Sequence, residues 1–200
     1  ITPNIISYTA MMAAYAKRGD VKSVSMWLSE ASLSGHVPNV DQFNMVVDAY
    51  AKRGDAQGAV REFDEMVKRG CAPNAFTYCY LIDAHAKAGD VAGAEQWFAK
   101  VESACLRPGV AHFMSVIDAH ARTGHAAPTE RWFDAMTKVC ISPDILTYGS
   151  VLRVHADRAD VSQAQKWMAK LLGSRLEPDV SIYNNLVYAS VKDKQLQGAL

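Results

Sequence analysis

Prolines stand at Pro3, Pro38, Pro73, Pro108, Pro143 and Pro178, 35 residues apart at every step. Five residues after each comes an aromatic: Tyr8, Phe43, Tyr78, Phe113, Tyr148 and Tyr183. Sixteen after the first four prolines comes a glycine (Gly19, Gly54, Gly89, Gly124), giving way later to Ala159 and Lys194. Asp20, Asp55, Asp90 and Asp160 follow that position, and Trp27, Trp97, Trp132 and Trp167 share a further column. A fixed period of this size marks a repeat architecture, in which each unit buries its apolar face against its neighbours. The chain therefore builds a ladder of units with extended faces, not a globule around a central pocket.

Each unit carries the pattern of two helices. In the unit from Val40 to Asn74, Val40, Phe43, Val46, Val47, Tyr50 and Ala51 recur at helical spacing and form one apolar stripe. Gly54 fits the left-handed position that ends a helix, and Asp55 is a good N-cap for the next. Ala56, Ala59, Val60, Phe63, Met66 and Val67 form the second stripe. Gly70 and Pro73 close it, because proline has no N–H and restricts the residue before it, and Asn74 caps the following helix. Helices of ~12 residues are marginal alone and must stack. The expected fold is an all-α solenoid of tandem helix-turn-helix units, a single domain over residues 1–200. Its units run over 5–39, 40–74, 75–109, 110–144 and 145–179, with a partial unit over 180–200.

Half of the residues are hydrophobic and 21% are charged, the balance of a folded, soluble chain. No run reaches the roughly 18–20 apolar residues needed to span a bilayer, so no membrane association is expected. The formal net charge is zero, so composition alone gives no hint of a polyanionic partner. The chain opens on Ile1 and breaks off inside a unit, the pattern of a piece of a longer protein. Cys71, Cys79, Cys105 and Cys140 form no CxxC pair and are expected to be reduced, mostly packed thiols.

The period, the proline, the aromatic and the Gly-Asp turn together resemble the pentatricopeptide repeat family, in its subclass of uniform 35-residue units. The segment VDQFNMVVDAYAKRGDAQGAVREFDEMVKRGCAPN (Val40 to Asn74) is similar to that family's pattern nearly throughout. The related tetratricopeptide repeat has 34 residues and would drift out of register over this length. The resemblance implies binding of single-stranded RNA, about one base per repeat, along the face made by the first helices. It also implies a role in RNA processing, stability or translation, in a mitochondrion or plastid, with no cofactor and no catalysis.

In the family the base is read by the residue after the aromatic and the residue after the proline that closes the same unit. The chemistry is sound by itself. Guanine N1 and uracil N3 carry a proton and want an acceptor, such as aspartate; adenine N1 and cytosine N3 are bare and want the amide donor of asparagine. Carried over, Thr9 with Asn39 resembles the adenine pair and Asn44 with Asn74 the cytosine-leaning pair. Cys79 with Gly109 matches no usual combination. Met114 with Asp144 and Gly149 with Asp179 keep the acceptor alone, so each implies U or G, and Asn184 opens a sixth unit. The implied site is 5′-A-C-N-(U/G)-(U/G)-3′, running with the chain from N to C.

The family also wedges bases between side chains two residues before the aromatic. Ile6, Phe76 and Leu146 suit that use, Phe76 most of all, since an aromatic platform is worth ~1–3 kcal/mol per base. Asp41 and Ser181 depart from the pattern and weaken their slots. Lys17, Lys52, Lys87, Arg122 and Lys192 fill one column near the end of the first helix, a candidate phosphate stripe. The competing reading is that they complement the helix dipole. Likewise, capping alone would explain Asn39, Asn74, Asp144 and Asp179.

Other columns point to structure. His85, His120 and His155 continue Tyr15 and Tyr50, and packed helices ~8–10 Å apart hold them too far apart for one zinc ion. Asp48, Asp83 and Asp118 are spaced likewise and are expected to bond with neighbouring helices or solvent. No Gly-rich phosphate loop, GxSxG elbow or HExxH is present, and the expectation is a binding module with no catalytic or metal site. Two other functions fit the same architecture: a protein–protein scaffold, or the substrate-recognition arm of a larger RNA-processing enzyme.

Overall fold

The computed structural model describes residues 4–197, with side chains through residue 194. Eleven helices and no strand occur among the described residues. They fall into two compact bodies that divide between Pro108 and Gly109.

The first body holds α1 (Ile5–Lys17), α2 (Val21–Leu33), α3 (Val40–Arg53), α4 (Ala56–Lys68), α5 (Ala75–Lys87) and α6 (Val91–Ser103). The first helices α1, α3 and α5 stack in order; α2 packs on α1 and α3, α4 on α3 and α5, and α6 on α5. The second body repeats the plan with α7 (Val110–Arg122), α8 (Ala126–Lys138), α9 (Ile145–Asp157), α10 (Val161–Gly173) and α11 (Val180–Gln197). There α7, α9 and α11 stack, with α8 on α7 and α9 and α10 on α9 and α11. All-α hairpin stacking is thus observed within each body.

The repeated columns have distinct jobs. The aromatics after the first five prolines are buried, whereas Tyr183 is exposed; Tyr8, Tyr78, Phe113 and Tyr148 pack against the tryptophan column. Phe63 meets Tyr78 and Trp97 edge-on at ring separations of 5.8 and 5.0 Å. Phe133 meets Tyr148 and Trp167 in the same way at 4.9 and 4.8 Å. Edge-to-face contact of this kind adds to area burial. Around these rings, Val46, Met66, Leu81 and Ile82 are sealed in the first body, and Ile117, Met136, Leu152 and Leu171 in the second.

Helix ends follow their chemistry. Asp20, Asp55, Asp90 and Asp160 each cap a second helix by accepting from the backbone N–H three residues on. Gly54 ends α3 in the left-handed region at φ 67°, as its position requires. Ala159 occupies the same place at φ 56°, a conformation that a Cβ resists. Lys194 does not stop its helix at all, and α11 runs on to Gln197.

Two expectations are corrected. The thiols are not mostly packed: Cys105 and Cys140 are exposed and Cys71 and Cys79 half-buried. Cys105 and Cys140 stand where the first two units have Gly35 and Gly70 and the fifth has Arg175, in the left-handed turn that closes each second helix. That turn faces solvent, so nothing packs on it. Val67 is also exposed, because α4 buries Ala59 and Met66 and its stripe is narrower than the sequence pattern.

Candidate functional site

The residue after each proline is an N-cap, and its geometry has a chemical consequence. Asn39 accepts the Gln42 N–H on Oδ1 at 3.1 Å, and Asn74 accepts the Thr77 N–H on Oδ1 at 3.1 Å. Asp144 and Asp179 accept from Thr147 and Ile182 on Oδ1 at 2.8 and 2.9 Å. Only an oxygen can accept, so the cap turns the oxygen of each side chain inward. What remains for an outside partner is the amide Nδ2 of Asn39 and Asn74, a donor, or the Oδ2 of Asp144 and Asp179, an acceptor. Capping and an outward recognition group are therefore compatible.

The first-helix residues lie beside these caps. In the second unit Asn44 Nδ2 donates to Asn74 Oδ1 at 3.2 Å, and Asn44 itself is buried. In the first unit the Thr9 hydroxyl donates back to the Ile5 carbonyl at 2.8 Å and accepts from Gln42 Nε2 at 3.2 Å. Elsewhere the pairing thins. Cys79 lies on α5 in the first body, whereas Gly109 opens α7 in the second and makes no side-chain cap. Burial, with Asp83 and Asp48 nearby, pushes the Cys79 thiol up to about 11, so it stays protonated and uncharged at neutral pH. Met114 is half-buried and carries no polar atom, and Gly149 leaves an opening that Ile182 Cδ1 approaches. Asn184 is exposed on α11.

Ile6, Phe76 and Leu146 stand at the second position of α1, α5 and α9 and are 72%, 67% and 59% exposed, large apolar surface adjoining the caps. Asp41, Ala111 and Ser181 occupy the same column and are exposed too.

The basic column is partly engaged within the fold. Lys52 pairs with Asp48, Lys87 with Asp83 at 2.7 Å, and Arg122 with Asp118 at 3.8 Å. Lys52 also donates to the Ala16 carbonyl at 2.9 Å, and Lys192 to the Asp157 carbonyl at 2.6 Å. These carbonyls belong to the end of the preceding first helix, so the cations cap the neighbouring unit. Lys17 is exposed at the end of α1. The aspartate column thus bonds mostly with its own helix, four residues on; Asp118 alone reaches a neighbour as well, meeting Arg153 of α9 at 2.6 Å.

The histidine column is built into the packing. His85 links Asp90 at Nδ1 (2.8 Å) and accepts from the Trp97 indole N–H at Nε2 (3.0 Å). His155 meets Glu130 at 3.0 Å, and Glu130 also accepts from Trp167 at 2.9 Å.

Sequence reasoning missed Gln42, Thr77 and Thr147, which stand three positions into α3, α5 and α9. The signal was there: an N-cap followed three residues later by a group that can bond back is the capping-box pattern. Asn39 N–H donates to Gln42 Oε1 at 3.0 Å and Asn74 N–H to Thr77 Oγ1 at 3.1 Å, completing two such boxes.

Comparison with known proteins agrees with this architecture. Family models described as "Pentatricopeptide repeat domain", "PPR repeat family" and "Pentatricopeptide repeat-containing protein" match residues 1–53, 38–87 and 79–200. No curated protein matches the chain. Among solved structures, it is similar to the pentatricopeptide repeat protein PPR10 in complex with an 18-nt psaJ RNA element. The TM-score is 0.87 at 22% identity, over 99% of this chain and 29% of that one. PPR10 from maize matches at a TM-score of 0.59 and 22% identity, over 97% of this chain and 32% of that one. The PPR domain of Arabidopsis thaliana protein-only RNase P 1 in complex with tRNA matches at 0.69 and 16% identity, over 89% of this chain and 94% of that one. The chain spans under a third of the length of the PPR10 chains it matches. With one model covering residues 79–200 and the others the rest, the chain belongs to the pentatricopeptide repeat family.

Proposed function

We propose that this chain is a non-catalytic module that binds single-stranded RNA and selects about one base per repeat, within an RNA-processing, stability or translation factor of a mitochondrion or plastid. The observation that carries the reading is the inward lock of each cap oxygen, which leaves Asn39 and Asn74 an outward donor and Asp144 and Asp179 an outward acceptor. Slot one then offers the Asn39 amide as donor and a remaining lone pair of Thr9 Oγ1 as acceptor. Adenine's N1 acceptor and N6 donor complement that pair. Slot two offers the Asn74 amide to cytosine N3, and slots four and five offer a carboxylate oxygen to the imino proton of U or G. In slot three Gly109 has no side chain to read with, so no base is assigned to it. Phe76, Ile6 and Leu146 supply exposed apolar surface for base stacking.

The relatives support the same direction, since PPR10 and the RNase P domain were solved with an RNA element and with tRNA. Lys17 is exposed for phosphate contact, whereas Lys52, Lys87, Arg122 and Lys192 contact it only as far as they exchange their internal partners for it. The salt dependence is therefore shallower than the slope of about −0.7 per contact that five free cations would give.

Selection from a random single-stranded RNA pool at moderate salt tests the proposal. Enrichment of A-C followed, after one free position, by U or G is expected. A pool that stays random while a peptide library is captured would instead establish a protein scaffold.

A further inference from the structure

Between the two reading residues of a slot lies a third side chain, supplied by the next unit. Thr77 is fully buried, and its Oγ1 lies 2.7 Å from Asn44 Oδ1, 3.2 Å from Asn74 Oδ1 and 3.1 Å from the Asn74 backbone N–H. The hydroxyl accepts from that N–H, so its own proton is free to go to Asn44 Oδ1, the shortest of these contacts. That contact fixes which way the Asn44 amide is turned: oxygen to Thr77, nitrogen to Asn74 Oδ1 at 3.2 Å. Asn74 Oδ1 then accepts from the Thr77 N–H and from Asn44 Nδ2, and its amide nitrogen is held outward.

Slot one repeats the logic with different atoms. Gln42 Oε1 accepts from the Asn39 N–H, which commits its Nε2 as donor to Thr9 Oγ1. Thr9 has already given its proton to the Ile5 carbonyl, so it faces outward as an acceptor. In slot four Met114 has no polar atom, and the Thr147 hydroxyl turns instead to Asp144 Oδ1 at 2.7 Å. In slot five Gly149 has no side chain, and the third position is Ile182, whose Cδ1 would lie 3.4 Å from a Cβ built on Gly149. The third residue is polar where the first reader is polar and fills space where the first reader is absent.

We propose that base choice in slots one and two rests on three residues, the third being the buried residue three positions into the following first helix: Gln42 for Thr9 and Asn39, Thr77 for Asn44 and Asn74. It is a positioning residue. It does not face the base, but sets the donor or acceptor state of the reader that does. The inference rests on the base-reading proposal above.

The test compares wild type, Thr77→Val and Thr77→Ser in binding synthetic RNAs that differ at one slot at a time. Wild type should favour C over U at slot two by about fivefold or more, the worth of one net hydrogen bond. Thr77→Val keeps shape but not the hydroxyl. It should bring that preference to within about twofold while leaving the slot-one preference for A intact, and Thr77→Ser should restore slot two. Retention of full C preference by Thr77→Val overturns the inference, as does equal loss at both slots, which marks a structural role only. A wild-type chain indifferent to base at every slot overturns the base-reading proposal itself.

Discussion

Asn44 and Asn74, thirty positions apart, meet through a hydrogen bond of 3.2 Å from the Nδ2 of the first to the Oδ1 of the second. That contact joins the first half of one helix to the cap of the next first helix, so that under the proposed base reading the two residues act together. Asn74→Asp tests it. Aspartate still accepts the Thr77 N–H and the Asn44 amide, so the cap survives, but its outward atom becomes an acceptor. Binding to RNAs varied at the second slot should shift from C to U by about tenfold, within the range for hydrogen bonds to charged groups. The melting temperature should hardly move; unchanged base preference would remove Asn74 from the reading set.

Cys105 and Cys140 hold left-handed backbone at φ 57° and 60° on exposed turns, where the first two units use Gly35 and Gly70. A Cβ in this region costs about 1–2 kcal/mol. Cys105→Gly and Cys140→Gly should each raise the melting temperature by about 2–4 °C, read by thermal denaturation under reducing conditions. A fall would mean that these thiols make contacts that the turn geometry does not suggest.

Glycines inside helices respond in opposite ways. A Cβ on Gly93 would overlap His85 Nδ1 and Asp90 Oδ2, the groups that anchor the start of α6. Gly93→Ala should destabilise by about 1–3 kcal/mol despite alanine's better helix propensity. Gly173 ends α10 with nothing within 4 Å of its Cβ position. Gly173→Ala should therefore be neutral or stabilise by up to about 1 kcal/mol. Denaturant unfolding of the pair checks the difference in sign.

Glu62 occupies the column that holds tryptophan in four other units. Burial raises its carboxyl above the ordinary value, against the pull of Arg69 and with a small push from Glu65. A carboxyl whose folded pKa is raised penalises the fold when ionised. The penalty is complete above the folded pKa and fades as pH falls through it toward the unfolded value. Glu62→Gln should thus be more stable than wild type at pH 7, with the advantage shrinking by pH 4. Paired melts across that range check it, and a constant difference would point to packing instead of charge.

The period alone determined the architecture. Proline, aromatic, glycine and aspartate at fixed spacing specify where each helix starts and stops, because caps and left-handed turns are local chemistry that a sequence states directly. The exposed Ile6, Phe76 and Leu146 and the candidate readers were legible for the same reason: their columns are fixed by the register. What tertiary structure decided is how these side chains spend their hydrogen bonds. That Lys52 and Lys87 are drawn to Asp48 and Asp83 was within reach of an i,i+4 reading, but that Lys52 also caps the helix before it was not. Nor does a string of residues say that Thr77 closes on Asn44, 33 positions earlier. Such contacts depend on how neighbouring units settle against each other, and that is set by the packing of whole helices. The sequence named the residues after each proline as caps or readers; the local cap turns one oxygen of Asn39 and of Asn74 inward, and the stacked helices decide which neighbour meets it, Asn44 at Asn74 in the second unit.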